Sequence, residues 1–268
     1  MVGQNKLQEQ FNKFTLTTLP HSLLFIGKYG GGKHLFSKEI AHKFSLQYRE
    51  INSKINYELI EELNTLVEPT LCVIETKYIT LKEEAVLLKF IEEPKSNMYI
   101  SILAESTAGL SEPILNRCQI FTFSEYTSNE LLQYWNTESP IIDETITEGC
   151  LLFKIADTPG KLNNWGCIDF ETIYEYCNKI FDFIATAYLG NIFKIIDRID
   201  FDSDSSDKYA VEPFFATLLY CAKKRVEQGL PNALKQYLLT DKLLNGATIA
   251  TLNKKQLFEH YLYDLRGI

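Results

Sequence analysis

Apolar and polar positions alternate on two different periods along this chain, and the change of period marks its parts. Leu23–Ile26, Leu71–Glu75, Met98–Leu103 and Gln119–Phe123 read as strands, short runs of the kind a sheet covered on both faces requires. Between them the spacing becomes helical. Asn5–Phe14 carries Leu7, Phe11 and Phe14 on one face, and the stretch after Lys33 carries Leu35, Ile40 and Phe44. Tyr57–Val67 is closed by Pro69, and Thr80 with Glu83 forms a capping box that opens a helix ended by Pro94. Arg49–Asn56 is weakly patterned and is a poor candidate for the missing second strand.

Beyond Phe123 the period is helical throughout. A short helix runs from a second capping box, Thr127 with Glu130, through Trp135, and another spans about Asp143 to Ala156, ending at Thr158-Pro159-Gly160. Ile173, Cys177, Ile180, Ile184 and Tyr188 line a long amphipathic helix from Phe170 to about Ile199, with a break near Gly190. Further helices fit 212–228, then 231–245 between Pro231 and Gly246, then 254–266 behind Asn253 and Gln256. Strands that alternate with helices predict a parallel α/β sheet, and the remainder predicts helical domains.

Composition narrows the function classes. A chain of 268 residues, 46% apolar and 23% charged, has room for one large domain or two to three small ones. No apolar run approaches the roughly 20 residues of a membrane span. The first residues, MVGQNKLQEQFNKF, are polar, so neither a signal peptide nor a membrane anchor is expected and the chain should be cytoplasmic. Six cysteines occur with no C-x-x-C pair, which predicts reduced core thiols and no zinc or other metal. A net charge of −8 and a pI near 5.2 argue against broad electrostatic DNA binding, so nucleic acid should be met through partners.

The candidate chemistry sits at Leu23–Leu35, where the first strand runs into Gly27-x-x-x-x-Gly32-Lys33 and then a helix. Glycines at 27, 30, 31 and 32 let backbone N–H groups approach phosphates, Lys33 reaches the outer ones, and the following helix turns its positive end to the same anion. Working loops carry Ser or Thr after the lysine to ligate magnesium, and here the residue is His34, a poor ligand for a hard cation. The second apolar run ends in Glu75, whereas an ATPase strand of this type ends in Asp-Glu, and the Asp position reads Ile74.

The helix after that strand carries the more specific signal. Val86-Leu87-Leu88-Lys89-Phe90-Ile91-Glu92-Glu93-Pro94, then a strand, a loop and Asn116-Arg117-Cys118 before another strand, resembles the clamp-loader branch of the AAA+ ATPases. The likeness is greatest to the delta-prime type of subunit of bacterial DNA polymerase III. Gly3-Gln4 and His21-Ser22-Leu23-Leu24-Phe25-Ile26-Gly27 match the family's flanks, so the resemblance runs from residue 3 to about 165. It implies an α/β AAA+ domain with a parallel sheet (1–124), a small helical lid (125–166) and an all-α C-terminal collar (167–268).

The departures from the family pattern gather at one site. The hydroxyl after Lys33 and the Asp at 74 are gone, and the sensor Thr or Asn falls at Ala104 or Glu105. The cysteine-rich zinc module of many members is absent, and a sensor arginine gives way to Gly160 beside Lys161. The resemblance therefore implies a non-hydrolysing stator subunit that helps load a sliding clamp on primed DNA, part of a polymerase holoenzyme without ATPase activity of its own. It implies no required cofactor, with ATP or phosphate held weakly at most. The partners it implies are gamma/tau-like ATPase and delta-like subunits, with clamp and DNA reached through the complex. Arg117 would act in trans, as an arginine finger in a neighbour's ATP site.

Two alternatives stand beside this expectation, an active ATPase subunit and a stand-alone AAA+-like scaffold. Aromatic residues from Tyr174 to Tyr263 are too many for one small bundle to hide, which predicts subunit contacts in the collar. Asp200-x-Asp202-x-Asp204 lacks the glycine and final glutamate of a calcium loop and reads as a solvated linker. Lys223-Lys224-Arg225 reads as an exposed basic face late in a helix, and no hydrolase constellation is present.

Overall fold

Leu23, Leu24 and Phe25 have no exposed surface because the strand that bears them lies at the inside of a sheet with helices on both faces. Residues 2–76, 79–108, 110–138, 150–184, 188–201, 209–247 and 252–267 are described by a computed structural model of the chain. They fall into two compact units, one drawn from 1–142 and 157–163, the other from 143–156 and 164–268.

The first unit runs α1 (Asn5–Asn12), β1 (Ser22–Ile26), α2 (Lys33–Lys43), β2 (Gln47–Ile51), α3 (Tyr57–Thr65), β3 (Thr70–Glu75), α4 (Leu81–Glu92), β4 (Met98–Ala104), α5 (Glu112–Arg117), β5 (Gln119–Thr122) and α6 (Ser128–Thr137). The five strands are all parallel, in the order β2-β3-β4-β1-β5. Strand parity sorts the core. Leu23, Phe25, Leu71, Val73 and Leu103 meet Phe11 of α1 and Phe36 and Ile40 of α2. Leu24, Cys72, Ile74, Ile100 and Ile102 meet Leu63 of α3, Leu87 of α4 and Ile114 of α5 on the other face. On the first face Phe11, Phe25, Phe36 and Phe121 interlock, with Phe11 and Phe121 centroids 4.7 Å apart. Burying each such ring stabilises the fold by roughly 1.5–3 kcal/mol.

Both capping boxes form as the sequence requires, at Thr80/Glu83 and Thr127/Glu130. The missing second strand is Gln47–Ile51, which overlaps the stretch set aside as a poor candidate. It lies at the sheet edge with Gln47 exposed and Tyr48, Arg49 and Glu50 half-buried, so it needs no continuous apolar run. Thr158-Pro159-Gly160 does not close a helix. It opens α8 (Pro159–Trp165), with proline at the first position where its missing N–H costs nothing.

The second unit contains α7 (Leu151–Ile155), then α9 (Phe170–Phe183), α10 (Leu189–Ile196), α11 (Val211–Glu227), α12 (Ala233–Ala247) and α13 (Lys254–Arg266). It is not purely helical, since β6 (Ile199–Asp200) and β7 (Tyr209–Ala210) form a parallel pair. The long helix expected from Phe170 to Ile199 is two helices, and its interruption falls before Gly190. Residues 143–149 of the helix expected from Asp143, and the whole acidic stretch 202–208, lie outside the described residues.

Phe214, Phe258, Leu218 and Leu262 are fully buried in this unit's core, and Phe258 packs against Phe201, Phe214, Phe215 and Tyr261. Exposed aromatics nonetheless remain at Phe183 (65%), Tyr188 (83%) and Phe193 (54%). Arg225 is not the solvated cation its sequence suggests. Its guanidinium bridges Asp182 of α9 (2.8 Å) and Gln236 of α12 (3.1 Å) over the Phe181 ring. All six cysteines are free thiols, but Cys167 is exposed and Cys150 half-buried, so the expectation of six core thiols fails at those two. Among the described residues no helix is long and apolar enough to cross a membrane.

Gly246 lies inside α12 and does not terminate it. A Cβ there would sit 3.5 Å from the Leu257 methyls, an ordinary contact. Gly246→Ala should therefore raise stability by about 0.4–1 kcal/mol through the unfolded chain's lost freedom. Urea unfolding reads this, and a lower midpoint would contradict the assignment.

Candidate functional site

β1 delivers the chain to the loop with its last amide pinned, since the Gly27 N–H donates to Ala104 O at the end of β4 (3.1 Å). A Cβ on Gly27 would lie 2.6 Å from that of Phe123, so only glycine lets the sheet's end approach here. Gly30 (φ 72°) and Gly32 (φ 89°) take left-handed conformations that turn the loop into α2. The loop's groups are engaged with one another. The Gly31 N–H donates to Lys28 O (3.2 Å), and the Lys33 ammonium donates to Gly27 O (2.5 Å) and Lys28 O (2.9 Å). Burial pushes the Lys33 pKa down, against the nearby charges of Glu105 and Glu75. Glu105, just after β4, thus acts on the loop through its charge.

His34, in the first turn of α2, meets the ends of two strands. Its Nε2 lies 2.7 Å from Glu75 Oε1 and its Nδ1 3.3 Å from Glu50 Oε1. Parity explains the convergence, since Tyr48 and Glu50 on β2 and Glu75 on β3 share the face that packs on α2. Tyr48 donates to Glu50 Oε1 at 2.5 Å. That bond, with His34 and Lys38 nearby, holds the Glu50 carboxyl below its usual range, while burial raises the tyrosine. Ile74, where the sequence reading sought the magnesium Asp, points into the opposite core and is 1% exposed. The β3 carboxylate on the loop's side of the sheet is Glu75, bonded to His34.

A second clasp closes over the loop from the start of α8. The Gly160 N–H donates to Gly30 O (2.9 Å), and a Cβ on Gly160 would lie 2.5 Å from Gly30 Cα. Tyr126 adds a hydrogen bond to Gly31 O (2.9 Å), and burial pushes its phenol up to about 12. Asp157 bridges Lys28 of the loop (3.0 Å) and Lys161 (2.7 Å). Burial alone would raise its pKa, but the two lysines outweigh burial and hold the carboxyl below its ordinary value. Lys28 also pairs with Glu125 (2.8 Å). Lys161, the candidate stand-in for a sensor arginine, is therefore bound to Asp157.

Gly27, Gly30, Gly31, Gly32, Lys33, His34 and Glu75 thus come together, while Arg117 does not join them. It ends α5, where Nη2 meets Glu92 Oε1 of α4 at 2.5 Å and Nη1 donates to Pro113 O at 3.1 Å. Sequence reasoning missed Tyr48, Glu50, Lys28, Tyr126 and Asp157. Lys28 lay inside the glycine-rich loop already singled out, as Glu92, the partner of Arg117, lay inside the Val86–Pro94 motif. The others are ordinary polar residues whose partners are set by strand parity and by the return of the chain at 157–160.

A magnesium–nucleotide does not match this donor set. No hydroxyl follows Lys33, an imidazole nitrogen holds an oxygen of the Glu75 carboxylate, and the lysine amine is turned onto loop carbonyls. Among the described residues no group of three or more His, Cys, Asp or Glu is arranged to hold a metal.

A family model described as DNA polymerase III, delta subunit, matches residues 71–127, the span from β3 to just beyond β5. Among solved structures, a DNA polymerase III gamma-subunit-related protein of Thermotoga maritima is similar at 16% identity and TM-score 0.50, covering 98% of both chains. A mutant of Thermotoga maritima RuvB is similar at 15% identity and TM-score 0.52, covering 98% of this chain and 89% of that one. No curated protein matches. The family match spans residues 71–127 alone, and the likeness to the two solved structures is one of fold, a parallel α/β sheet followed by helices.

The contact between Gly30 and Gly160 is backbone on backbone and cannot be relieved by a side-chain rotation. Gly160→Ala should cost roughly 1–3 kcal/mol, the usual range for overpacking. Thermal unfolding of the purified chain measures it, and an unchanged midpoint would mean that the loop and the 157–160 segment are not clasped.

Proposed function

We propose that this chain is the non-hydrolysing, delta-prime-like subunit of a DNA polymerase III clamp loader, a stator that keeps the AAA+ fold without its metal chemistry. It requires no cofactor of its own and holds ATP or phosphate weakly at most. The observation that carries this reading is the 2.7 Å pair between His34 and Glu75, with Lys33 turned onto its own loop. Hydrolysis in phosphate-loop enzymes rests on a lysine at the outer phosphates, a hydroxyl on magnesium and an acidic strand end. In this chain the first and third are engaged elsewhere and the second is missing.

In this reading residues 1–124 are the AAA+ domain, 125–166 its lid and 167–268 a collar. The protein works in the cytoplasm, bound to gamma/tau-like ATPase and delta-like subunits. The sliding clamp and primed DNA are reached through the complex, consistent with the chain's net charge of −8. Exposed Phe183, Tyr188 and Phe193, with Leu234 and Leu238 on one side of α12, supply apolar anchors for neighbouring subunits. Arg117 reaches a neighbour's ATP site as an arginine finger.

A working ATPase subunit is the second reading, favoured by the carboxylate of Glu75 facing the loop. Calorimetry and steady-state hydrolysis with magnesium and ATP separate the two. The expected outcome is no turnover above background, and micromolar binding strengthened by magnesium would overturn the stator reading.

Arg117 gives the second test, in the complex reconstituted with its ATPase and delta-like partners. Arg117→Ala should assemble normally yet lower clamp- and DNA-stimulated ATP hydrolysis by about tenfold or more, because fingers supplied in trans contribute roughly 10³–10⁵ elsewhere. Arg117→Lys should fall between the two, keeping charge but losing the planar fork. Unchanged turnover in Arg117→Ala would reduce the residue to its bond with Glu92.

A further inference from the structure

The Arg117 guanidinium already has an anion. Glu92, the last residue of α4, places Oε1 2.5 Å from Nη2, and the Pro113 carbonyl of α5 takes Nη1 at 3.1 Å. Both side chains of the pair are partly open to solvent, at 39% and 45%, and Arg117 is the last residue of its helix. An arginine has five donors, so two bonds fix its plane and leave others free. A half-exposed pair of this kind is weak, worth a fraction of what the same charges would hold in a dry site.

The helix that carries Arg117 is itself lightly held. α5 has six residues, and Ser111 at its N-cap makes no side-chain cap bond and leaves its buried Oγ without a partner. Of its six residues only Ile114 is fully buried, with Leu115 packed half-buried against the same core, and the other four are exposed. The ion pair to α4 is thus a main determinant of where the guanidinium points.

From this geometry we infer that Glu92 is a positioning residue for Arg117. It holds the guanidinium neutralised at the subunit edge and yields it to a polyphosphate that approaches there. This inference rests on the finger reading and adds its regulation. Exchange is favoured because a polyphosphate carries more charge than one carboxylate and accepts the same planar fork. Without such an approach the carboxylate competes with stray anions for the arginine, a bias of a few-fold for a pair this exposed.

The experiment has two arms. In the isolated full-length chain, the Nε–Hε resonance of Arg117, assigned by its loss in Arg117→Lys, is followed while inorganic tripolyphosphate is added at low salt. Glu92→Gln should move the starting resonance and tighten the response of Arg117 by about two- to fivefold, the range set by an exposed pair. Glu92→Asp should restore part of the original behaviour. An Arg117 resonance and response identical in wild type and Glu92→Gln would overturn the inference.

In the reconstituted complex, Glu92→Gln should lower the KM for ATP by a similar factor while kcat stays within about twofold, where a purely structural defect would lower kcat. If Arg117→Ala abolishes stimulation but Glu92→Gln leaves KM unchanged, the finger stands and the role of Glu92 falls. If Arg117→Ala changes nothing, the finger reading falls and takes the exchange with it.

Discussion

Three strands, β1, β3 and β4, lie between two layers of helix, and this two-sided burial constrains the first unit more than any other feature. A strand in that position has no solvent face, so its side chains are divided between the two cores by odd and even position alone. Leu71 and Val73 go to α1 and α2, while Cys72 and Ile74 go to α3, α4 and α5. The same rule decides what the end of β3 offers the loop. Glu75 continues the odd set and therefore emerges beside α2, where it meets His34. A shift of one residue in register would bury the carboxylate in an apolar core and turn isoleucine toward the loop.

That constraint also marks what could be read from sequence and what could not. β1, β3 and β4 were legible because burial on both faces demands unbroken apolar runs, and the helices between them because their caps are local chemistry. β2 was not, since an edge strand with polar residues at 47, 49 and 50 looks like a loop until its partner is known. The start of α8 was misread for a related reason. Proline followed by glycine ends some helices, but Pro159 sits where a helix begins, and the Gly160 backbone is needed against Gly30, far away in sequence. Long-range contacts of that sort leave no periodic signal. In the candidate site, the loop residues and Glu75 followed from a local motif, whereas Tyr48, Glu50, Tyr126 and Asp157 are joined to it only by the fold.

The loop region has the electrostatics of a site whose charges are matched from within. Lys28 is balanced by Glu125 and Asp157, and Asp157 in turn by Lys161. His34 lies between Glu75 and Glu50, and Glu50 is held low by the Tyr48 hydroxyl and Lys38. Each pair is partly solvent-exposed and individually worth little. Collectively they leave the loop's cations with carboxylates and carbonyls as partners, so an incoming phosphate must displace contacts already made. A working loop gains from the opposite arrangement, in which its donors wait for the ligand and its carboxylate waits for the metal.

Packing by itself gives glycine a reason to stand at these positions of the loop. Gly27 is confined by Phe123, and Gly30 by Thr158 and Gly160, each at distances where a Cβ would collide. Gly30 and Gly32 also sit at backbone angles that other residues adopt only with strain. A chain of this fold that loses metal chemistry is therefore not free to lose the glycines, because β1, β5 and the start of α8 close on the turn they make. The residue types in contact with a metal or phosphate are under no such restriction. His34 can stand where a hydroxyl would be without disturbing the core, since its ring points between two strand ends and away from both apolar clusters. The motif thus divides into a geometric half, which the fold enforces, and a chemical half, which packing leaves open and where this chain carries His34.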